Sequence, residues 1–278
     1  MIAIEGTGLF GGRACRVALS RTTYPAVRLR LGGGPLVPIV DYRVVDTNRT
    51  TTIGWGDSRL SLVEHLFAAL AGLDVREKLD IDVTGDELPL LDGGARAWCE
   101  ALAEIGLGGE HASGDDRSPA ASLVVTPRSA AHEPIVVGES VYRFSPARDV
   151  LVTAVIELTD RRVETTADWN GTADRFVRSI ASARTFVHAR DLEPMLAAGL
   201  GASVDPASVM VFDADTVHVA GRPFSPDEPA RHKLLDLMGD FYLYGGPPRG
   251  STHAHRPGHR ANHAAIEEAI ARGVLCRG

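Results

Sequence analysis

The chain has 278 residues, 44% of them hydrophobic, and a formal net charge of −7 at pH 7. Such a length buries a sizeable core and fits two modest domains better than one. The negative charge and dispersed basic residues give no basic face for nucleic acid, and no run of about 18 uncharged apolar residues predicts a membrane span. Three widely spaced cysteines, Cys15, Cys99 and Cys276, exclude a disulfide framework. Because the N-terminus also lacks a signal-peptide pattern, we expect a cytoplasmic protein.

The first part of the chain predicts strands around Val27–Leu31, Val37–Tyr42 and Leu79–Val83. Helical spacing of apolar residues predicts helices over Leu62–Leu73 and near Ala95–Ile105. A polar segment rich in Gly, Ser and Asp follows. We therefore predict an N-terminal α+β domain over residues 1–108, a linker over 109–121 and a C-terminal α+β domain over 122–278.

The second part predicts further strands, namely Ser122–Thr126, Ile135–Val137, Leu151–Ile156 and Ser208–Phe212. It also predicts helices near Ala173–Ser182, Leu192–Ala198, Pro226–Tyr242 and Asn262–Ala271. Ser225 is the expected N-cap of the third helix, with Pro226 in its first turn. Each part carries a helix with an embedded histidine followed by a turn rich in Gly or Pro, which weakly indicates two similar α+β units.

The third helix carries an imidazole and two carboxylates at intervals of four residues: His232, Asp236 and Asp240. Residues four apart lie on one helix face. His232 and Asp236 could therefore bind one metal ion, while Asp240 holds a neighbouring group. The alternative is a hydrogen-bonded pair at the edge of the core.

A second histidine lies at the margin of the apolar face of the first helix. His65 follows Glu64, which in turn lies three residues after Ser61. The pair is a further candidate for a metal ligand and a catalytic carboxylate. The alternatives are a capping box formed by Ser61 and Glu64 and a boundary histidine.

Four histidines crowd the segment 252–263, at positions 253, 255, 259 and 263. A self-contained metal site is disfavoured because Pro257 and Gly258 interrupt any continuous helix. We expect instead that one of them, His259, reaches a site built elsewhere.

Taken together, these segments resemble the zinc-dependent UDP-3-O-acyl-N-acetylglucosamine deacetylases of lipid A biosynthesis. The resemblance rests on several motifs that occur in the family's order: Gly6-Thr7-Gly8-Leu9, Val63-Glu64-His65-Leu66, Leu88–Gly93, Ser182-Ala183-Arg184-Thr185-Phe186, His232-Lys233-Leu234-Leu235-Asp236 with Gly239-Asp240, and Gly258-His259 with Asn262.

The resemblance implies that His65, His232 and Asp236 bind Zn²⁺ and leave one position open, as catalytic zinc sites do. It also implies that Glu64 is the general base that takes a proton from water as the water attacks an amide carbonyl.

The remaining catalytic roles follow from the same resemblance. His259 would stabilise the oxyanion and protonate the leaving amine, and Asp240 would favour its imidazolium form. Thr185 would donate its hydroxyl to the oxyanion. Lys233 would face an anionic or polar part of the substrate, unless it is simply a solvated helix lysine.

The family fold consists of two similar β-α-α-β layered domains with the active site between them. An insertion in the second domain, which we map to about 187–219, forms a hydrophobic passage for the acyl chain in the family. The residues expected to contact the substrate there include Phe186, Met195, Leu196, Leu200, Val204 and Met210. Ordinary core packing is the alternative for each of the last five.

Several positions differ from the family's motifs, most of them where the family contacts its substrate. Phe10 replaces a common histidine, Gly201-Ala202-Ser203 replaces Gly-Gly-Ser, and His188 replaces a residue that is often aromatic. The segment 156–162 lacks the family's Asp-Phe-x-His-Pro-like pattern, and the strand that leads to Ser145-Pro146 contains no lysine. Phosphate contacts would then come from arginines, with three candidates: Arg161, Arg162 and Arg190.

We therefore expect a monomeric hydrolase that removes the N-acetyl group of an acylated UDP-amino sugar and meets a membrane-bound lipid pathway only transiently. A deacetylase of a different acylated amino sugar is the first alternative. A non-catalytic paralogue that binds a nucleotide sugar or lipid precursor is the second.

Overall fold

The computed structural model describes residues 1–108, 123–126, 133–157 and 160–277, so the predicted linker at 109–121 lies outside the described residues. The described part combines several β-sheets with six α-helices, which confirms the mixed α and β class. None of the helices within these ranges is long and apolar enough to cross a membrane.

Eight strands precede residue 108: β1 (Ile2–Thr7), β2 (Ala14–Arg21), β3 (Val27–Leu31), β4 (Val37–Pro38), β5 (Arg43–Asp46), β6 (Thr52–Trp55), β7 (Ser58–Leu60) and β8 (Leu79–Thr84). The strands described after it are β9 (Leu123–Val125), β10 (Ile135–Val137), β11 (Ser140–Ser145), β12 (Leu151–Val155), β13 (Thr166–Trp169), β14 (Thr185–His188), β15 (Val209–Phe212), β16 (Val217–His218), β17 (Ser251–His255) and β18 (Leu275–Arg277). The helices are α1 (Glu64–Gly72), α2 (Arg96–Glu104), α3 (Ala173–Arg175), α4 (Ala189–Ala197), α5 (Glu228–Tyr242) and α6 (His259–Ala271).

The two five-stranded sheets have the same topology. Their orders are β1-β2-β8-β3-β4 and β10-β11-β17-β12-β13. In each sheet the last strand in chain order lies in the centre and pairs in parallel with the third, β8 with β3 and β17 with β12, whereas every other pair is antiparallel. The chain therefore builds one sheet arrangement twice.

Helices α1 and α5 form the most extensive contact between any two described elements. Every residue of α1 is buried, including Glu64 and His65, because the seven residues that follow them are leucine, phenylalanine, alanine and glycine. Most of α5 is buried as well, including its histidine and both of its aspartates. Polar groups buried at a helix contact need partners or a ligand, which makes this contact the place to look for a site.

Several predicted elements differ from the structure. The strand expected over Val37–Tyr42 ends at Pro38 and gives way to a 3₁₀ turn at Ile39–Asp41, since proline cannot donate to a β-ladder. The helix expected over Ala173–Ser182 becomes a π-helix at Phe176–Ile180 after one short turn.

The starts of α5 and α6 also differ from expectation. Asp227 occupies the N-cap position of α5 without a side-chain cap, and the hydroxyl of Ser225 instead bonds to the carboxylate of Asp227. Helix α6 begins at His259, three residues before the predicted start, because Gly258 takes the extended N-cap conformation. The earlier start adds His259 to the helix, so that His259 and His263 are four residues apart on α6.

Candidate metal centre

Helices α1 and α5 bring His65, His232 and Asp236 together in one buried cluster. One potential ligand atom from each side chain lies within 4.8 Å of the others. His232 Nε2 lies 3.4 Å from Asp236 Oδ1, and His65 Nε2 lies 3.8 Å from the same oxygen. Lys233, predicted to face the substrate, donates to Asp236 Oδ2 at 2.7 Å, so in this structure its ammonium pairs with the cluster.

The protonation states suit a divalent cation. Burial and the neighbouring His232 lower the pKa of His65 to about 3, and burial lowers the pKa of His232, so both imidazoles are neutral near pH 7. Burial raises the pKa of Asp236, but the neighbouring imidazole of His232 and the ammonium of Lys233 outweigh it and keep the carboxylate ionised. Two neutral imidazoles and one carboxylate form a donor set that zinc and related metals accept.

The surroundings of the Nδ1 atoms of the two histidines also fit a metal site. His232 Nδ1 lies 3.0 Å from the carbonyl oxygen of Ala183, which accepts its hydrogen and leaves the lone pair on Nε2. His65 Nδ1 is buried and has no hydrogen-bond partner within the described ranges. The cluster therefore contains one buried imidazole nitrogen for which the described residues supply no hydrogen-bond partner.

Glu64 lies beside the cluster at the start of α1. Its Oε1 accepts a hydrogen bond from the Thr50 hydroxyl at 2.7 Å, and its Oε2 accepts one from the Thr51 amide at 3.1 Å. His259 Nε2 lies 3.8 Å from Oε1. Burial raises the pKa of Glu64 to about 7, although the charge of His259 opposes the shift. A carboxyl with this pKa can accept a proton near neutral pH.

Asp240 organises the other side of the site. Its Oδ2 lies 3.0 Å from His259 Nδ1 and accepts a hydrogen bond from Asn262 at 2.7 Å. Its Oδ1 accepts one from the Thr51 hydroxyl at 2.6 Å and lies 3.3 Å from His263 Nε2. Burial disfavours the ionised carboxylate, but the two histidines hold the pKa of Asp240 well below its usual value.

The same arrangement sets the charge of His259. Burial lowers its pKa, but the carboxylates of Asp240 and Glu64 outweigh that effect and raise the pKa to about 9. His259 is therefore an imidazolium near pH 7, placed between a fixed carboxylate and the candidate base. A protonated imidazole in this position can act as an acid or stabilise an anion.

The structure brings the expected His259 to Asp240 and adds a second histidine of the 252–263 segment, His263, that was not expected there. The two histidines are four residues apart on α6, a signal that was present in the sequence but hidden by the late predicted helix start. The capping-box alternative is wrong: Val63 occupies the N-cap of α1, and the hydroxyl of Ser61 pairs with that of Thr52. Thr50 and Thr51 were missed entirely.

Gly239 explains how α1 and α5 approach closely enough to share one site. A Cβ atom at this position would overlap the carbonyl oxygen of Glu64. The backbone of α5 therefore rests directly on the backbone of α1, one residue before Asp240. The spacing between His65 and the two cluster residues of α5 is set by this contact.

Replacing Gly239 by alanine is expected to force the two helices apart. We expect a loss of about 1–3 kcal/mol in the free energy of unfolding, the usual cost of overpacking a core, together with weaker binding of a cation at the cluster. Urea denaturation and zinc titration measure the two effects. Gly258→Ser is the control, because a Cβ there meets no atom within 4 Å and serine is favoured at the N-cap position that Gly258 occupies. Equal midpoints and zinc affinities for Gly239→Ala and wild type would contradict the argument.

An apolar cavity of about 680 Å³ adjoins the cluster. Thr185 and Phe186 line it, and the ring centroid of Phe186 lies 6.3 Å from that of His232. Three of the other predicted contact residues, Met195, Leu196 and Val204, line the cavity, as do the departures Phe10, His188 and Gly201. Leu200 and Met210 are not among its lining residues, and Met210 is fully buried in the core instead.

The arginines proposed for phosphate differ in their surroundings. Arg162 donates to both carboxylate oxygens of Asp160, at 2.8 and 2.5 Å, and to the carbonyl of Asp213. Arg190 lies 3.8 Å from Asp191 on an exposed surface. Arg161 is exposed. Their contact with a phosphate stays a prediction.

The fold and the site together define a mixed α and β protein with a buried potential metal site, a carboxylate base candidate and an adjoining apolar cavity. That combination is typical of metal-dependent hydrolases with apolar substrates.

The chain belongs to the UDP-3-O-acyl N-acetylglycosamine deacetylase family, whose model matches residues 1–271. It is 32% identical over 277 residues to the UDP-3-O-acyl-N-acetylglucosamine deacetylase of Myxococcus xanthus (strain DK1622), covering 96% of this chain and 83% of the relative. It is 32% identical to the enzyme of that name from Anaeromyxobacter sp. (strain Fw109-5), covering 97% and 86%. The enzyme of Psychrobacter arcticus (strain DSM 17307 / VKM B-2377 / 273-4) is 29% identical, with 97% and 83% covered.

Proposed function

We propose that this protein removes the N-acetyl group of UDP-3-O-acyl-N-acetylglucosamine in lipid A biosynthesis and that its cofactor is zinc. The observation that carries the proposal is the buried cluster of His65, His232 and Asp236, together with His259, whose Nε2 lies 3.8 Å from Glu64 Oε1 and 4.0 Å from Asp236 Oδ2. Family membership supports the substrate, because the relatives carry that name. The apolar cavity beside Phe186 is the proposed place of the acyl chain.

The cluster residues would hold the cation, which supplies Lewis-acid chemistry that activates water and polarises an amide carbonyl. Glu64 accepts the proton that water loses as it attacks the carbonyl, and its two hydrogen bonds from Thr50 and Thr51 fix the direction of the carboxylate. His259 delivers the proton from Nε2 to the leaving amine, while Nδ1 stays on Asp240. Thr185 lines the cavity and is proposed to donate its hydroxyl to the oxyanion.

These roles predict a bell-shaped dependence of kcat/KM on pH. Activity rises as Glu64 loses its proton, with a pKa raised to at most about 7, and falls as His259 loses its own, with a pKa of at most about 9. A bound cation lowers both values. Steady-state assays across pH test the profile, and His259→Gln should lack the falling limb. A falling limb that survives in His259→Gln would contradict the acid role.

The function itself is tested by assaying acetate release from UDP-3-O-acyl-N-acetylglucosamine and measuring metal content in the same preparation. We expect one zinc per chain, loss of activity on chelation and its return on adding zinc. Hydrolysis of only a different acylated amino sugar would favour the first alternative. Stoichiometric metal without any hydrolysis would favour the non-catalytic paralogue.

We further propose that the repeated sheet topology marks two domains, with the linker at 109–121 and the acyl-binding insertion at about 187–219. The supporting observation is that β1 to β8 and β10 to β17 build equivalent sheets and that cluster residues come from a helix of each part. A cytoplasmic monomer stays our expectation for the whole protein.

A further inference from the structure

The segment that lines the apolar cavity leaves the rest of the fold and returns to it at one narrow place. It leaves after Arg184, at the start of β14, and it returns at Ala220–Pro223, shortly before α5. Between these points lie β14, α4, β15 and β16, which form a small sheet of their own with one helix. The neck therefore holds one end of the cavity wall, while the hydroxyl of Ser208 holds another part through a hydrogen bond to the carbonyl oxygen of Leu91.

Arg184 holds the returning chain. Its Nε and one terminal nitrogen donate to the two carboxylate oxygens of Glu228, at 2.9 and 3.2 Å. The terminal nitrogens also donate to the carbonyl oxygens of Ala220, Arg222 and Pro223, at 3.3, 3.0 and 3.3 Å. Arg184 is 2% exposed and Glu228 is fully buried. All of the donor directions of the guanidinium are thus engaged by the neck.

Arg222 makes the reciprocal contact. One terminal nitrogen donates to the carbonyl oxygen of Ser182 at 2.6 Å and to Glu228 Oε1 at 2.7 Å. The residue before the insertion thus binds the chain after it, and the residue after the insertion binds the chain before it. We call Arg184, Arg222 and Glu228 the neck clamp. Although burial raises the pKa of Glu228, the hydrogen bonds from both arginines hold it below its usual value.

The neck clamp adjoins the cluster on two sides. Ala183, between Ser182 and Arg184, supplies the carbonyl oxygen 3.0 Å from His232 Nδ1. Glu228 is the first residue of α5, so His232 follows one helical turn later. Two residues that line the cavity also touch the clamp. Thr185 directly follows Arg184, and Ala220 supplies one of the carbonyl oxygens that Arg184 binds. The neck clamp therefore contacts both the chain that forms the cavity wall and the start of the helix that carries His232.

We propose that the neck clamp sets the distance between the apolar cavity and the metal cluster, and thereby decides which acyl chain length lets the acetamido group reach the site. This inference rests on the proposed function. The clamp residues are positioning residues that determine specificity through the cavity. A fixed wall discriminates by length because a displacement of the reacting group by about 1 Å costs roughly 10²-fold in rate, whereas a mobile wall adapts to several lengths.

Arg222→Met is the informative variant. The side chain of Arg222 is 40% exposed, so its loss leaves Glu228 paired with Arg184, whereas Arg184→Met would leave a buried charge without its main partner. We expect zinc content to be unchanged. We expect the preference in kcat/KM for the best acyl chain over its next shorter homologue to fall about tenfold, within the range that hydrophobic pockets achieve for small length differences.

Arg178→Met is the matched control, because the side chain of Arg178 is 77% exposed and forms a surface ion pair with Asp174, outside the insertion. Its length preference should equal that of wild type. A length preference in Arg222→Met that matches wild type, with or without a uniform loss of kcat/KM, would overturn the proposal.

Binding of a series of free fatty acids, measured by displacement of a fluorescent fatty acid, provides a readout that needs no turnover. A sharp length optimum in wild type that broadens in Arg222→Met supports the clamp, and an optimum that stays sharp overturns it. If wild type hydrolyses no acylated UDP-sugar, the proposed function fails, and the binding series still decides whether the clamp controls chain length.

Discussion

Replacing Glu64 by glutamine is expected to lower kcat by about 10²- to 10⁴-fold, the usual contribution of a positioned general base. Glutamine preserves the size of the side chain but cannot accept a proton. Glu64 is 2% exposed and already receives hydrogen bonds from Thr50 and Thr51, so water cannot take over its role at the same place. KM and zinc content should change little, since the cluster residues are untouched.

The control for this substitution is Glu104→Gln, which makes the same chemical change at an exposed position on α2. Steady-state kinetics on the acylated UDP-sugar, with zinc measured in each preparation, separate a lost base from a lost metal. A kcat of Glu64→Gln within a few-fold of wild type would contradict the assignment of the base.

Replacing His232 by alanine is expected to abolish both zinc binding and hydrolysis. His232 supplies one of three donors, and its loss also frees the carbonyl of Ala183. Loss of an outer partner alone typically costs 10- to 100-fold in metal affinity or activity, so loss of a direct ligand should weaken zinc binding by more than about 100-fold. Zinc titration followed by calorimetry measures the affinity directly.

His255→Ala provides the comparison. His255 lies on β17, and its Nε2 lies 3.1 Å from the carboxylate of Glu157 rather than near the cluster. Its removal should leave zinc affinity and kcat unchanged. Zinc binding by His232→Ala at wild-type affinity would refute the proposed ligand set, and the same weakening in both variants would point to a general loss of structure.

The parts of the site that lie within one helical turn were predictable from the sequence. His232, Asp236 and Asp240 share a face of α5 because of their spacing alone. Glu64 and His65 are adjacent in the sequence, so placing both at the site required only the prediction that a helix begins there. These residues carry a strong local signal, since charged groups are rare on helices that are otherwise apolar.

The supporting contacts were not predictable in the same way. Thr50 and Thr51 reach Glu64 and Asp240 only because the chain between β5 and β6 folds over the start of α1. Such contacts depend on tertiary packing, and nothing in the local sequence marks them. The duplicated sheets were equally hidden, because several of their strands have only two to four residues and carry little periodic signal.

The close approach of α1 and α5 at Gly239 couples the binding of a cation at the cluster to the packing of these two helices. Any cation that binds the cluster bridges α1 and α5, so its binding free energy also opposes their separation by the amount that mass action prescribes. Conversely, any process that loosens the two helices raises the dissociation constant of the cation. When the metal is scarce, the contact between α1 and α5 is therefore expected to be less stable.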